Sequence, residues 1–312
     1  MLKIVLLFTI SLLNVSFSAN EKNILFLAGK PSHGSGDHEF RAGCMLLADK
    51  LNQSGLPLKA KVHSYGWPED ESIFNDVDAC IIYADAGGRF GENYAFLDQK
   101  VKEGMGIMFM HYGVHPSKEI GEKYFMPWIG GFMETGFSVN PHWIAELKPV
   151  PGEEISKGIP HFKAFDEFYY NMRFPTKEQD PASKPLVMAT PKPEVMIRYI
   201  NLWNQNGVDG FNKPQALMWG REPETGGRGV GFVGGHYHKN WAIDAFRQLV
   251  MNAIVWCARM DIPDGGVPAG TVTLEELNAN LDHKKKMNHI DLPTEDLLSQ
   301  KPMALPDLSK RK

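Results

Sequence analysis

Cysteine is scarce in this chain, with three residues among 312. Cys44, Cys80 and Cys257 lie far apart, each within an apolar stretch. An odd number of cysteines at such spacing does not indicate a disulfide framework, even for a protein that meets an oxidising compartment. We therefore interpret all three as buried free thiols, a common state of cysteine in protein cores, rather than as nucleophiles or metal ligands.

Long apolar runs are missing after the first residues. The run at residues 4–13 spans about ten residues, half of the roughly twenty that a membrane-spanning helix needs. It follows Lys3 and precedes small residues at Ser16 and Ser18, a pattern typical of a signal peptide. We expect residues 1–18 to be removed, giving a periplasmic or secreted protein without membrane contact. The alternative is an uncleaved N-terminal anchor.

An excess of charge of one sign is also absent. The chain has 33 Lys and Arg against 37 Asp and Glu, a net charge of −4 at pH 7. Nucleic acid and anionic membranes require a concentrated basic face, so neither is an expected partner. The basic clusters, residues 284–286 and 309–312, fall in a polar tail that we expect to be solvated and poorly ordered.

Several catalytic motifs are missing. The chain has no G-x-S-x-G turn and no H-E-x-x-H motif, and the glycine-rich loop at residues 29–37 has neither G-x-G-x-x-G nor a P-loop ending. Nucleotide binding and covalent catalysis by serine or cysteine are therefore not expected. Residues 110–113 have the form of a strand-to-helix turn, but His111 occupies the place of the nucleophile.

The chain does show an alternation of short apolar runs with helical patterns. Apolar runs predict strands at residues 23–28, 59–65, 79–84, 106–110, 215–219 and 230–233. Apolar residues at helical spacing predict helices at 40–51, 93–102 and 242–259. Strands that alternate with helices form parallel sheets with right-handed crossovers. We therefore predict an α/β fold with a doubly wound, mostly parallel sheet and helices on both faces.

The predicted domain spans residues 19–262. Residues 127–214 lack clear periodicity and are interpreted as insertions and irregular strands around a cleft, not as a second domain. The C-terminal tail, residues 263–312, is expected to hold one short helix, because Thr273 and Glu276 have the spacing of a capping box.

Histidines concentrate just after the predicted strands. In a doubly wound sheet, ligands bind outside the carboxyl ends of the strands. A lone histidine is usually structural, but six of the chain's 11 histidines share this placement and favour a functional cleft. The polar residues at this edge are His33, His38, Asp85, His111, His115, His236 and His238.

These histidines suit two kinds of chemistry. Alternate residues of an extended segment point the same way, so His236 and His238 would face one ligand. Together with His33 and His111 they are candidate ligands for zinc or manganese, which accept neutral imidazole and carboxylate oxygen. The same imidazoles would serve as general acids or bases, and both interpretations stay open here.

Aromatic residues stand beside polar groups in the middle of the chain. Glu167 precedes Tyr169, and His142 precedes Trp143. Such pairs suit sugars, because aromatic faces stack on ring C–H groups while polar groups bind hydroxyls. Core packing explains some of these rings equally well.

Residues 23–262 contain an ordered series of short motifs, namely 106–113 with His111, 128–132, Ile159, Pro160, Phe165, Asp166, Glu167, Tyr169, Trp219, 227–229, 234–236, Asn240, Trp241 and Trp256. This series resembles the ThuA-like (trehalose utilisation) family. The resemblance implies the fold of class I glutamine amidotransferases, a flavodoxin-like sheet, and a role in carbohydrate metabolism, including oxidised (3-keto) sugars or glycosides. It does not imply glutaminase activity, since His111 replaces the amidotransferase cysteine.

The hypothesis that follows is an exported hydrolase or lyase that acts on keto-sugars or glycosides by histidine acid/base chemistry, with or without a metal. The expected catalytic residues are His111, His236 and Glu167. The expected substrate-binding residues are His33, His38, Asp85, His115, His142, Trp143, Tyr169 and His238. The alternatives are a non-catalytic sugar-binding protein and an interaction scaffold. The sequence gives no indication of the oligomeric state.

Overall fold

The computed structural model describes residues 21–198 and 204–290. The predicted signal peptide therefore lies outside the described residues. Among those residues, no helix has the length and apolar character needed to cross a bilayer.

One sheet of ten strands organises the described part of the chain. The strands are β1 (Lys22–Ala28), β2 (Leu58–His63), β3 (Ala79–Tyr83), β4 (Gly106–Met110), β5 (His142–Pro149), β6 (Phe162–Asp166), β7 (Ser183–Ala189), β8 (Met196–Arg198), β9 (Gln215–Arg221) and β10 (Gly229–Phe232).

The helices lie between and after these strands. The α-helices are α1 (Phe40–Asn52), α2 (Tyr94–Lys102), α3 (Lys118–Ile120), α4 (Met126–Ile129), α5 (Gln205–Asp209), α6 (Asp244–Cys257) and α7 (Leu274–Leu277). A π-helical turn, Gly121–Phe125, joins α3 to α4. Two 3₁₀ turns, His111–Val114 and His238–Ala242, follow β4 and β10.

The sheet has a parallel half and an antiparallel half. Its order is β2-β1-β3-β4-β10-β9-β7-β5-β6, and β8 pairs with β5. Neighbours from β2 to β10 are parallel, and neighbours from β10 onward are antiparallel. The predicted α/β fold is confirmed, and the strands predicted in the parallel half all form.

Residues 127–214 are more regular than we expected. Their strands β5 to β7 continue the same sheet, and β8 pairs beside them. The pairing of β7 with β9 shifts register near Pro185 and Val187. Such irregularities break the two-residue alternation on which strand prediction depends.

Helices cover both faces of the sheet. A Cβ added at Gly106 would meet Cys257 of α6, whereas one added at Gly229 would meet Trp128 of α4. Gly229 pairs with Ile107, the residue after Gly106. Because successive strand residues point to opposite faces, α6 and α4 lie on opposite sides. The strands β3 and β4 are accordingly buried along their whole length.

The three cysteines belong to this core. Cys44, Cys80 and Cys257 are buried and free, and burial raises the pKa of each thiol. Their environment keeps them protonated, as expected for packing residues.

The C-terminal tail packs on the domain as far as residue 290. The predicted capping box is present in α7, since Thr273 and Glu276 exchange backbone-to-side-chain hydrogen bonds. Lys50 Nζ on α1 donates to Glu276 at 2.6 Å, and Lys284 Nζ donates to the carbonyls of Ser32 and Asp37 at 2.8 and 2.7 Å. The expectation of poor order is therefore wrong for the tail up to residue 290, because these ion pairs and hydrogen bonds hold it, whereas Lys285 and Lys286 are solvent-exposed as expected. Residues 309–312 lie outside the described residues.

Candidate functional site

Strand direction brings the candidate residues to one edge of the sheet. The strands β1, β3, β4 and β10 are parallel, so the residues that follow them meet at one edge. Four antiparallel pairings separate β10 from β6, and each reverses the strand direction. The strand β6 therefore runs in the same direction as β10. This edge therefore also receives Glu167, just after β6, and His142, the first residue of the oppositely directed β5.

Three histidines and one glutamate converge at this edge. His38, His111, Glu167 and His236 are all buried, and one ligand atom from each lies within 4.8 Å of the other three. His38 Nε2 lies 3.0 Å from both His236 Nδ1 and His111 Nε2, and the last two atoms are 3.3 Å apart. Glu167 Oε2 lies 3.1 Å from His236 Nδ1 and 3.3 Å from His111 Nε2. We call these four residues the His₃Glu cluster.

Hydrogen bonds on the far side of two rings fix their tautomers. His111 Nδ1 donates to the carbonyl of Val233 at 3.0 Å, since a carbonyl can only accept. His38 Nδ1 lies 2.9 Å from Asp85 Oδ1. Burial alone would raise the pKa of Asp85, but hydrogen bonds from His38 and Ser32 outweigh it and lower this pKa. Burial lowers the pKa of His38 to about 3, so its ring is neutral and its Nε2 is unprotonated.

Electrostatics keep Glu167 ionised. Burial alone would raise the pKa of Glu167, but the neighbouring His111 and His236 rings, 3.3 and 3.1 Å away, outweigh it and hold the pKa well below the ordinary value. Asn140 Nδ2 donates to Glu167 Oε1 at 2.8 Å. For His236, burial lowers the pKa, yet the adjacent Glu167 carboxylate raises it on balance.

Asp166 is a buried residue that the sequence did not mark as part of the site. Its carboxylate accepts hydrogen bonds from the backbone N–H groups of Gly235, His236 and Tyr237 at 2.7, 3.0 and 3.2 Å, and from Glu167 N at 2.9 Å. Asp166 therefore ties the loop that carries His236 to the end of β6. The available signals were its position beside Glu167 and its place in the resembling motif, because its backbone partners in the loop lie 69 to 71 residues away.

Three of the site histidines have positive φ angles. The values are 61° at His33, 48° at His38 and 51° at His111. Side chains other than glycine adopt this region at a cost of about 1–3 kcal/mol each, and such residues gather at functional sites. His111 thus stands at a sharp turn after β4, as the sequence pattern of residues 110–113 suggested.

A less buried rim surrounds the cluster. The exposed ring of His33 stacks on His38 with centroids 3.6 Å apart, and with His38 and Asp85 it forms a second group of ligand atoms within 4.8 Å of one another. The hydroxyl of Tyr169 lies 3.4 Å from His111 Nε2. His142 Nδ1 lies 2.8 Å from the hydroxyl of Tyr237, a neighbour that the sequence did not single out.

Three predicted residues belong neither to the His₃Glu cluster nor to the rim around it. His238 does not point with His236, because its Nε2 donates to Leu277 O of α7 at 3.0 Å; the segment turns into a 3₁₀ helix there instead of staying extended. Trp143 is wholly buried and donates to Phe168 O at 2.9 Å. His115 lies 2.8 Å from Thr135 Oγ1, away from the four converging atoms.

The arrangement supports two kinds of chemistry. Three imidazoles and one carboxylate are a ligand set for a divalent transition metal. Alternatively, the buried rings and the carboxylate would move protons as general acids or bases. Either use requires the four groups to act together, since they share one small space.

Comparisons with known proteins agree with the fold. A family model, ThuA (trehalose utilisation), matches residues 41–257. A crystal structure of a ThuA-like protein from Bacteroides uniformis has a TM-score of 0.59 at 15% identity, covering 78% of this chain and 94% of that one. One from Parabacteroides merdae has a TM-score of 0.54 at 12% identity, covering 83% and 99%. No curated protein matches the chain.

Proposed function

Because the chain belongs to the ThuA family of trehalose utilisation, we propose that it is an enzyme that processes a small carbohydrate at the His₃Glu cluster. The observation that carries this proposal is the convergence of His38, His111, Glu167 and His236 at the carboxyl edge of the strands, where α/β proteins bind their ligands. The signal-peptide pattern of residues 1–18 supports a reaction in the periplasm or outside the cell.

The reaction that fits this site best is cleavage of a glycoside whose ring carries a ketone. A ketone acidifies the neighbouring C–H group, and removal of that proton gives an enolate. The enolate then expels the glycosidic oxygen from the next carbon, and the leaving oxygen takes up the proton. Addition of water to the resulting double bond completes a net hydrolysis, whereas release of the unsaturated sugar completes a lyase reaction.

His236, whose pKa the adjacent Glu167 carboxylate raises, is the ring of the cluster that would face the negative charge forming on the ketone oxygen. Buried groups that are fixed before the reaction stabilise developing charge far more strongly than mobile water does. Hydrogen bonds to Val233 O and Asp85 already orient His111 and His38. Tyr169, 3.4 Å from His111 Nε2, lines the same space with an aromatic face and a hydroxyl.

His142 is the group that we assign to the proton transfer. Burial lowers its pKa to about 4, so its ring is neutral at pH 7. Its Nε2 lies 3.6 Å from Glu167 Oε1 and makes no hydrogen bond with the described residues. With its proton on Nδ1, toward the Tyr237 hydroxyl, the ring presents a free lone pair beside the cluster.

The test compares native trehalose with its 3-keto derivative and follows the products by mass spectrometry. We expect the keto-sugar to be cleaved, and His111→Ala and His236→Ala to lower kcat/KM by at least about 100-fold. The matched control is His161→Ala, because His161 is exposed and precedes β6 at the opposite edge of the sheet. Unchanged turnover in both cluster variants would contradict the proposal. Binding of both sugars without any product would favour a sugar-binding protein instead.

A further inference from the structure

We propose that His38, His111, His236 and Glu167 bind one divalent transition-metal ion. This inference deepens the proposed function, because it names the group that would occupy the reactive centre. Metal binding is measurable without any sugar, so the two proposals fail separately.

The first argument is distance. Five of the six pairs among the four converging atoms are 3.0 to 3.3 Å apart, and the sixth pair, between His38 and Glu167, lies within 4.8 Å. Nitrogen ligands 2.0–2.1 Å from a tetrahedral zinc ion are about 3.3 Å from each other. The four atoms are therefore spaced as ligands of a single small ion.

The second argument is the count of protons. His111 Nδ1 carries its ring's proton toward Val233 O, and His38 Nδ1 carries its proton toward Asp85. When each ring carries only that proton, the two Nε2 lone pairs face each other across 3.0 Å. Two lone pairs repel at that distance, and a proton on His236 Nδ1 can be donated to only one of them. A cation between the rings would turn this repulsion into two bonds.

The third argument is the outer set of hydrogen bonds. Histidines that bind metals usually donate their other ring N–H to a carbonyl or a carboxylate, which fixes the ring and strengthens the ligand. His111 and His38 both have such a partner. Glu167 has one as well, since Asn140 Nδ2 donates to its second oxygen at 2.8 Å. The ligand set is thus oriented before any ion arrives.

The fourth argument is charge. Glu167 places a buried carboxylate among four side chains that are each at most 6% exposed. Burial of an uncompensated charge is costly, and proteins usually pair it or use it to bind a metal. A divalent cation at the point where the four atoms meet would pair with this carboxylate.

The experiment titrates Zn²⁺ into the purified protein after dialysis against a chelator, with isothermal titration calorimetry as the readout. Zn²⁺ is the probe because it binds a given nitrogen and oxygen site more tightly than Mn²⁺ does. We expect one equivalent per chain, and His38→Ala and Glu167→Gln to weaken binding by at least about 100-fold. His161→Ala is the control and should bind like the wild type.

Circular dichroism of each variant checks that the fold is retained, and Glu167→Gln keeps the shape of the side chain if the alanine variant unfolds. A wild-type protein that binds no Zn²⁺, or cluster variants that bind it as tightly as the wild type, would overturn the metal site. Stoichiometric Zn²⁺ with no cleavage of the keto-sugar would leave the metal site standing and refute the proposed reaction.

Discussion

His38 Nε2 and His111 Nε2 lie 3.0 Å apart although 73 residues separate them in sequence. The opposite nitrogen of each ring donates a hydrogen bond, His38 to Asp85 and His111 to Val233 O. Of these two partners, only Asp85 can be changed by a substitution, because the Val233 carbonyl belongs to the backbone. A substitution at Asp85 therefore tests whether the orientation of the His38 ring matters for the cluster.

Asp85→Asn is expected to weaken Zn²⁺ binding by about 10–100-fold, the usual effect of losing an outer partner of a ligand histidine. An amide accepts less strongly than a carboxylate and can turn its NH₂ group toward His38, which disfavours the tautomer that leaves Nε2 free. Zinc titration by calorimetry measures the change. Asp76→Asn, an exposed substitution of the same kind, is the control. Equal affinities in the two variants would contradict this role of Asp85.

Asp166→Asn is expected to lower the free energy of unfolding by about 1–3 kcal/mol for each backbone donor left unsatisfied. Asp166 is fully buried and its two oxygens accept from four backbone N–H groups, which an amide with a single oxygen cannot do. Urea unfolding measures the loss. The matched control is Asp264→Asn, because the Asp264 side chain is exposed. A loss no greater than that of the control would show that Asp166 does not hold the loop.

Lys284→Met is expected to loosen the loop at residues 32–38. Lys284 Nζ donates to Ser32 O and Asp37 O and lies 3.5 Å from Glu39 Oε2, which is buried. Loss of these bonds should cost about 1–3 kcal/mol and speed amide exchange in the loop about tenfold or more. Hydrogen exchange with mass spectrometry measures the rate.

The control for the loop is Lys286→Met, which removes the same charge from an exposed position of the same tail. Lys284→Arg should restore part of the protection, since a guanidinium can also donate to carbonyls. If Lys284→Met and Lys286→Met exchange alike, the tail does not secure the loop.

Glu276 predicts a pH-dependent contribution to stability. The hydrogen bond from Lys50 Nζ, with that from Thr273 N, lowers the pKa of Glu276 from 4.5. A group whose pKa is lower in the folded state stabilises the fold above its unfolded pKa and loses this effect as pH falls through the folded value. Because Glu276 is 40% exposed, the ion pair is worth at most about 1 kcal/mol.

The measurement compares the free energies of unfolding of the wild type and Glu276→Gln at pH 7 and at pH 3. The variant should be less stable by up to about 1 kcal/mol at pH 7, and the difference should shrink at pH 3. Glu275→Gln, an exposed change in the same helical turn, should show no such trend. A difference that is the same at both pH values would exclude the ion pair as its source.

The parallel half of the fold could be predicted from the sequence because its signals are local. Strands such as β4 are continuous apolar runs, and their covering helices repeat apolar residues at helical spacing. The rule that ligands lie at the carboxyl ends of such strands placed His38, His111 and His236 at one edge. The turn at His111 was predicted from the four consecutive residues 110–113.

The antiparallel half could not be predicted in the same way. The pairings of β7 and β5 in this half shift register, so no simple alternation marks these strands. Without those pairings nothing in the sequence shows that β6 runs in the direction of β10. The approach of Glu167 to the three histidines depends on that direction.

By itself, then, the sequence determined the α/β fold and the edge of the sheet at which the histidines lie. Both follow from periodicity and strand ends, which short runs of neighbouring residues define. Only the tertiary structure decided which groups meet there. It brought Glu167 beside the three histidines, added the carboxylate of Asp166, which holds the loop of His236, and turned His238 toward Leu277. Those outcomes depend on strand direction and on hydrogen bonds between residues far apart in the chain, which local patterns do not record.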